Sequence, residues 1–341
     1  MKRAFKQRMP NRDLYLGIES GGSKVAALVV DSDFRERGRS ELRRNSDHTA
    51  QDTMQTVLAA AEEALTQAGA TDKKSLLAAG WGFGGGVDRE TNNPTENLRE
   101  PGWENIQAGR QLEAFLGCPV YIENDCNVAA IGEAHLGAGT NRGISIYMTV
   151  GSGVGAGITV DGKLFRASRF GEAEVGHLVV GSEGPPCVCG NIGCLEVYSS
   201  GDGMAKMARW AAPAFKDRSP LAREILTESI QKPLTPLLFQ AYQDDPLSKK
   251  IIDEATDKLG LACSMLINLF VPKCIVFGGG VIQQAMVLPA IEQAIAGRVV
   301  SQLKADFCLK TTALGDMAVP LGAALHAGIE SGGAVPNAFE Q

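Results

Sequence analysis

The chain has 341 residues, 44% of them apolar and 21% charged, enough for two domains whose cores need no disulfide and too apolar for a disordered protein. Its formal net charge of −6 speaks against nucleic acid as the main partner. No apolar run long enough for a membrane span or a secretion signal follows the basic opening MKRAFKQRMPNR, so a cytoplasmic protein with no membrane partner is expected.

In chain order, residues 14–18 and 25–30 read as two short strands joined through Gly21 and Gly22, a hairpin followed by an aspartate at 31. A helix is predicted over 53–68, with Met54, Val57, Leu58, Ala61 and Leu65 on one face and Gly69 as its stop. GWGFGG at 80–85 matches a dinucleotide-binding fingerprint by letters, but the following GVDRETNNPTE is no helix, and GSGVGA at 151–156 runs into a strand. That context excludes nicotinamide binding. A P-loop is excluded too, because Ser23 separates Gly22 from Lys24.

A strand at 120–122 leads into Glu123-Asn124-Asp125-Cys126-Asn127 and a helix at 128–136. Carboxylates and amides at the C-terminal edge of a strand are where α/β folds keep ligand chemistry, and they are equally the preferred helix caps. The hairpin construction then recurs: a strand at 144–150, glycine-rich residues 151–157, a strand at 158–160 and the turn Asp161-Gly162. The repeat suggests two similar lobes, each turn offering backbone N–H groups to the phosphates of one nucleotide; two unrelated hairpins are the plainer alternative. His177, Cys187, Cys189 and Cys194 form H-x9-C-x-C-x4-C in a glycine- and proline-rich segment, the donor set of a closed tetrahedral Zn²⁺ site of structural type, against the alternative of a reduced thiol cluster. Cys118, Cys126, Cys263, Cys274 and Cys308 read as scattered buried thiols, and His48, His135 and His326 as surface or satisfied core residues. Residues 203–299 are helix-rich, broken by a buried strand at 274–277 that ends in Gly278-Gly279-Gly280. Mixed strand and helix order indicates α/β layers.

Several of these stretches together resemble the ROK family of repressors, open reading frames and kinases, within the actin/hexokinase-like ATPases. They are GIESGGSK at 17–24, ENLREPGWENI at 96–106, IENDCNVAAIGE at 122–133 and TVGSGVGAGITVDGKL at 149–164. EVGHLVV, CVCGNIGCLE and YSSG between 174 and 201, and IVFGGGV at 275–281, complete the set, and the resemblance covers residues 13–330.

The resemblance implies a two-lobed α/β actin-like ATPase fold with a duplicated ribonuclease-H-like core and an interlobe cleft that closes on ATP and sugar to exclude water. The N-terminal lobe would take 13–122 and regain a helix at 321–331, and the C-terminal lobe 123–320, with a zinc loop at 177–194. The implied activity is that of an ATP-dependent hexose kinase, glucokinase-like in phosphorylating the 6-hydroxyl. Fructose, mannose, allose and N-acetylated amino sugars are alternative substrates, and a catalytically inactive sugar sensor is the alternative of another class. Asp125 matches the family's general base, and Asn124 would hold neighbouring sugar hydroxyls. Glu174, His177 and Glu196 match residues that read the anomeric end and the C2 substituent, with Asn97 and Gly85 on the opposite wall. Gly21, Gly22, Ser23, Lys24, Gly151, Ser152 and Gly153 would embrace the phosphates with Mg²⁺ between them, and Gly278, Gly279 and Gly280 would line the adenosine side. The chain departs from the usual G-I-D-x-G-G-T in carrying Glu19 and Ser23, so metal placement rests on a carboxylate one methylene longer. With thirteen residues ahead of Leu14, the helix-turn-helix domain of the family's repressors is not expected, and a homodimer is expected.

Overall fold

The computed structural model describes residues 13–44, 49–95, 100–228, 230 and 232–333, so Asn97 and His48 lie outside the described residues. Contacts divide the described residues into two units: those up to His135, those of 167–171 and those from Asp316 on form the first, and those of 136–166 and 172–315 the second.

In the first unit, strands β1 (Leu14–Ser20), β2 (Lys24–Asp31), β3 (Glu36–Arg43), β4 (Leu76–Phe83) and β7 (Val120–Asn124) form one sheet in the order β3-β2-β1-β4-β7, beside the short pair β5 (Val87–Asp88) and β6 (Asn93–Pro94). The first three strands are antiparallel neighbours, whereas β4 runs parallel to both β1 and β7. Helix α1 (Ala50–Gln67) starts earlier than the apolar pattern implies because Thr49 caps it, its hydroxyl accepting from the Asp52 N–H while the Asp52 carboxylate accepts from the Thr49 N–H. Met54, Val57, Ala61, Ala64 and Leu65 form its buried stripe against β1, β2 and β3. Helix α2 (Ala108–Leu116) packs near β7, and the side chain of Asn92 stands in for a further strand along that edge. It accepts from the Ile122 N–H at 2.8 Å and donates to the Val120 carbonyl at 2.7 Å.

Helices α3 (Asp125–Leu136) and α10 (Ala318–Glu330) fix the unit boundary. A Cβ on Gly322 of α10 would fall 2.0 Å from the Val128 carbonyl, and one on Gly80 of β4 would fall 1.9 Å from the Ala323 carbonyl. Only glycine permits such approach, so Gly80, with Gly82 against Val319, serves helix-on-sheet packing. The same packing corrects the expected boundary: α3, with Asp125, belongs to the first unit to His135, where the sequence places the start of the C-terminal lobe at 123.

The second unit repeats the plan. Strands β8 (Ile144–Val150), β9 (Val154–Val160), β10 (Lys163–Leu164), β11 (Cys274–Gly278) and β12 (Cys308–Thr311) stand in the order β10-β9-β8-β11-β12, again an antiparallel hairpin succeeded by two parallel strands. The duplicated core of the actin-like ATPases is therefore present. The second turn is tighter than its glycines suggest: β9 begins at Val154, which leaves only residues 151–153 in the turn and puts Gly155 and Gly157 within the strand. The helical layer comprises α4 (Leu195–Ser199), α5 (Gly201–Phe215), α6 (Pro220–Leu226), α7 (Leu234–Gln240), α8 (Pro246–Phe270) and α9 (Val287–Ala296). Asp245 caps α8 by accepting from the N–H groups of Leu247 and Ser248, with Pro246 preset for the first helical position. Among the described residues no helix is long and apolar enough to cross a membrane.

Candidate functional site

Both glycine turns are built to expose N–H groups. In the first, the Gly21 N–H closes the turn on the Lys24 carbonyl at 3.0 Å, and the Ser23 carbonyl accepts from the Arg44 N–H at 2.9 Å. The Gly21 carbonyl accepts from the Arg44 guanidinium. In the second, the Gly151 N–H donates to the Gly153 carbonyl at 3.0 Å, the Gly151 carbonyl accepts from the Gly201 N–H at 2.7 Å, and the Ser152 carbonyl accepts from the Asp202 N–H at 3.3 Å. With the carbonyls held, no described residue accepts from the N–H groups of Gly22, Ser23, Ser152 or Gly153. Such turns are anion-binding concavities. Lys24 leans towards β3 and pairs with Glu41 at 2.8 Å.

At the end of β7 the capping demand of α3 falls to Asn124. Its Oδ1 accepts from the N–H groups of Cys126 at 2.9 Å and Asn127 at 3.2 Å, while its Nδ2 donates to the Gly85 carbonyl at 3.2 Å. Asp125 is the first helical residue: its Oδ1 accepts from the Cys126 N–H at 2.7 Å, and its Oδ2 lies 3.5 Å from where a Cβ on Gly84 would be. Burial, then repulsion from Asp125, raise the Glu19 carboxyl to about 7; Lys24 opposes this, and Asp316 and Glu41 add to it. Asp316, in the turn Gly315–Met317 ahead of α10, had no signal in the sequence beyond being an exposed acid.

Glu123 carries a positioning role that the motif alone does not reveal. Its carboxylate accepts from Arg89 Nε at 2.9 Å and Nη2 at 3.0 Å, from Asn127 Nδ2 at 3.0 Å and from the Asn124 N–H at 2.9 Å. Burial alone would raise this carboxyl, but the Arg89 fork and the two amide donors hold it below the ordinary value. The bidentate pair fixes the strand end from which Asp125 projects.

In the second unit His177, Cys187, Cys189 and Cys194 come together, their ligand atoms all within 4.8 Å of one another. His177 Nδ1 lies 3.5 Å from Cys187 Sγ, and the Cys189 and Cys194 sulfurs are 3.5 Å apart. A tetrahedral Zn²⁺ with bonds of about 2.3 Å to sulfur needs ligand separations of about 3.8 Å, so the cluster fits. Burial pushes the Cys194 thiol up to about 12, so a thiolate there needs a cation beside it. The His177 ring turns Nδ1 to the thiols, which leaves Nε2 for another partner.

Cys194 is also the cap residue of α4, and Glu196 on that helix reaches the second turn: its Oε2 accepts from the Val154 N–H at 3.2 Å and lies 2.7 Å from where a Cβ on Gly153 would be. Glu174 is exposed at the start of the turn Val175–His177. Gly278 and Gly279 pack on the end of β8, where a Cβ on Gly279 (φ +92°) would fall 2.4 Å from the Val150 carbonyl, whereas Gly280 faces open space. The structure therefore groups Gly21, Gly22, Ser23, Glu19, Asp125, Asn124 and Gly85 in the first unit. In the second it groups Gly151, Ser152, Gly153 and Glu196 with the Cys/His cluster, and Gly278 to Gly280 with the end of β8. Asn97 is outside the described residues.

Three comparisons add to the geometry. The model of the ROK family matches residues 15–328. A glucokinase of Thermotoga maritima is 27% identical over 82% of this chain and 86% of its own, and a xylose repressor of Caldicellulosiruptor bescii is 30% identical over 60% of this chain and 50% of its own. The crystal structure of a ROK family glucokinase from Streptomyces griseus in complex with glucose and AMPPNP is similar, with a TM-score of 0.74 and 30% identity over 92% of this chain and 99% of that one.

Proposed function

The chain belongs to the ROK family, and from that premise we propose that it is an ATP-dependent hexose kinase, glucokinase-like in phosphorylating the 6-hydroxyl. The observation that carries the reading is Asp125. Asn124 and Asp125 share the Cys126 N–H, which Asp125 Oδ1 accepts at 2.7 Å, and the same carboxylate, with Oδ2 on the Gly84 side, would take the proton of an attacking sugar hydroxyl. Gly22, Ser23, Ser152 and Gly153 offer N–H groups to phosphate oxygens, and Gly278 to Gly280 are assigned to the adenosine side. Glu19 would orient Mg²⁺-bound water, and the bound Mg²⁺ supplies neutralisation of the phosphate charge. Asn124, Gly85, Asn97, Glu174, His177 and Glu196 are assigned to the sugar. Zn²⁺ held by His177, Cys187, Cys189 and Cys194 would leave no open coordination position, so its part is to set the loop.

A coupled ADP-release assay with glucose, mannose, fructose, allose and N-acetylated amino sugars tests the proposal. Release that depends on one hexose and on Asp125 supports it. Sugar binding by calorimetry without any turnover would instead support a sugar-responsive regulator, the reading that the match to a xylose repressor favours.

A further inference from the structure

Arg44 has no part in the motifs, yet its side chain is only 4% exposed and lies under the first glycine turn. Its guanidinium donates to the Gly21 carbonyl and to the Thr53 hydroxyl, which in turn donates to Glu100. Arg44 Nη1 is also 3.4 Å from Glu100 Oε1, and Glu100 is itself 6% exposed. The main-chain N–H of the same residue holds the Ser23 carbonyl at 2.9 Å. Nε of Arg44 is buried and has no hydrogen-bond partner among the described residues. A group so costly to bury needs a compensating purpose.

The peptide geometry supplies one. In a trans peptide the carbonyl of one residue and the N–H of the next point in opposite directions. Holding the Gly21 carbonyl therefore aims the Gly22 N–H the other way, and holding the Ser23 carbonyl aims the Lys24 N–H. The Gly21–Gly22 peptide is flanked by two residues without a Cβ, so it is the peptide of the turn most free to flip. A flip would present a carbonyl oxygen where an anion is to bind. We propose that Arg44 is a positioning residue that locks the Gly21–Gly22 peptide, keeping the first turn in its anion-binding state. Glu100 balances the guanidinium charge, so orientation, rather than a long-range field, is the contribution. The inference rests on the reading of the first turn as a phosphate site of an ATP-dependent kinase.

The test compares wild type with Arg44→Lys and with a double variant, Arg44→Met with Glu100→Met, which removes the buried pair together and keeps the fold where a lone Glu100 would not be tolerated. Lysine keeps the charge but lacks the fork that reaches the Gly21 carbonyl and Thr53 at once. Both variants are expected to raise KM for ATP and weaken MgADP binding in calorimetry by about 10-fold, the scale of one hydrogen bond to a charged group. KM for sugar should move by less than about 3-fold. A purely structural role would lower Tm and active fraction and leave KM for ATP unchanged, and that result, or full rescue by lysine, overturns the proposal. If wild type binds MgADP but turns over no sugar, the kinase reading fails while the calorimetric comparison still decides on Arg44. If wild type binds no nucleotide, both fall.

Discussion

The two glycine turns occupy equivalent places in two sheets of the same strand order, yet they are held in different ways. The Gly21 carbonyl is held by a side chain, the Arg44 guanidinium, whereas the Gly151 carbonyl is held by a main-chain donor, the Gly201 N–H at 2.7 Å. Their acidic neighbours differ as well. Glu19 sits near Asp125 and Asp316 with its carboxyl raised to about 7, while Glu196 accepts from the Val154 N–H of the second turn at 3.2 Å and lies two residues beyond Cys194, on the helix that this cysteine caps. A duplicated scaffold has thus been differentiated by side chains, with titratable chemistry beside the first turn and bracing beside the second.

The largest effect should come from the first turn's neighbour. Asp125→Asn is expected to lower turnover by at least ~10²-fold, the scale of a lost general base, with sugar affinity by calorimetry within a few-fold. Near-normal turnover would reduce Asp125 to an ordinary first-turn acid and erase the contrast between the two units.

Next in size is the metal cluster. The sequence places it with sugar recognition, but the structure adds a path to the second turn through Cys194, α4 and Glu196. Elemental analysis should find one zinc per chain in wild type and none in Cys189→Ser, and the variant should weaken both sugar and nucleotide binding by about 10-fold or more, as losses of supporting contacts at metal sites do. Weakened sugar binding with unchanged MgADP affinity would sever the cluster from the turn.

Much of this was legible in the sequence because it is local. The repeated hairpin, the strand and helix around Asp125 and the Cys/His spacing each lie within a short window, and alternation, glycine punctuation and ligand spacing are short-range signals. What escaped is contributed by residues distant in sequence. Arg89 reaches Glu123, Arg44 reaches Gly21 and Glu100, and Asp316 bears on Glu19, and no periodicity announces any of them. The boundary at His135 escaped for the same reason, since it depends on α10 returning to pack on α3.

A smaller and pH-dependent effect separates the carboxylates. Below about 7 Glu19 holds a proton, and a cation must displace it, so apparent Mg²⁺ affinity should fall as pH drops from 8 to 6, by about 10-fold for one proton in competition. The sign follows from the raised carboxyl: the anion that favours the cation is present above 7 and lost below it. The Mg²⁺ concentration for half-maximal rate, measured at both pH values, should show this shift in wild type and no shift in Glu19→Gln. An equal shift in the variant would place the titration elsewhere.

The smallest effect tests the glycines after β11, which the sequence treats as equals. Gly279 has φ +92°, and its Cβ would fall 2.4 Å from the Val150 carbonyl, at the residue that leads into the second turn. Gly280 has open space around its Cβ position. Gly280→Ala should therefore raise Tm by about 1–3 °C, because alanine restricts the unfolded chain without strain in the folded one. Gly279→Ala should lower Tm and weaken nucleotide binding together, since the backbone it strikes cannot move without shifting β8 and the turn. If instead Gly280→Ala weakens nucleotide binding at unchanged Tm, the open space beside Gly280 is the space the adenosine needs, and steric access rather than backbone conformation is what that glycine supplies.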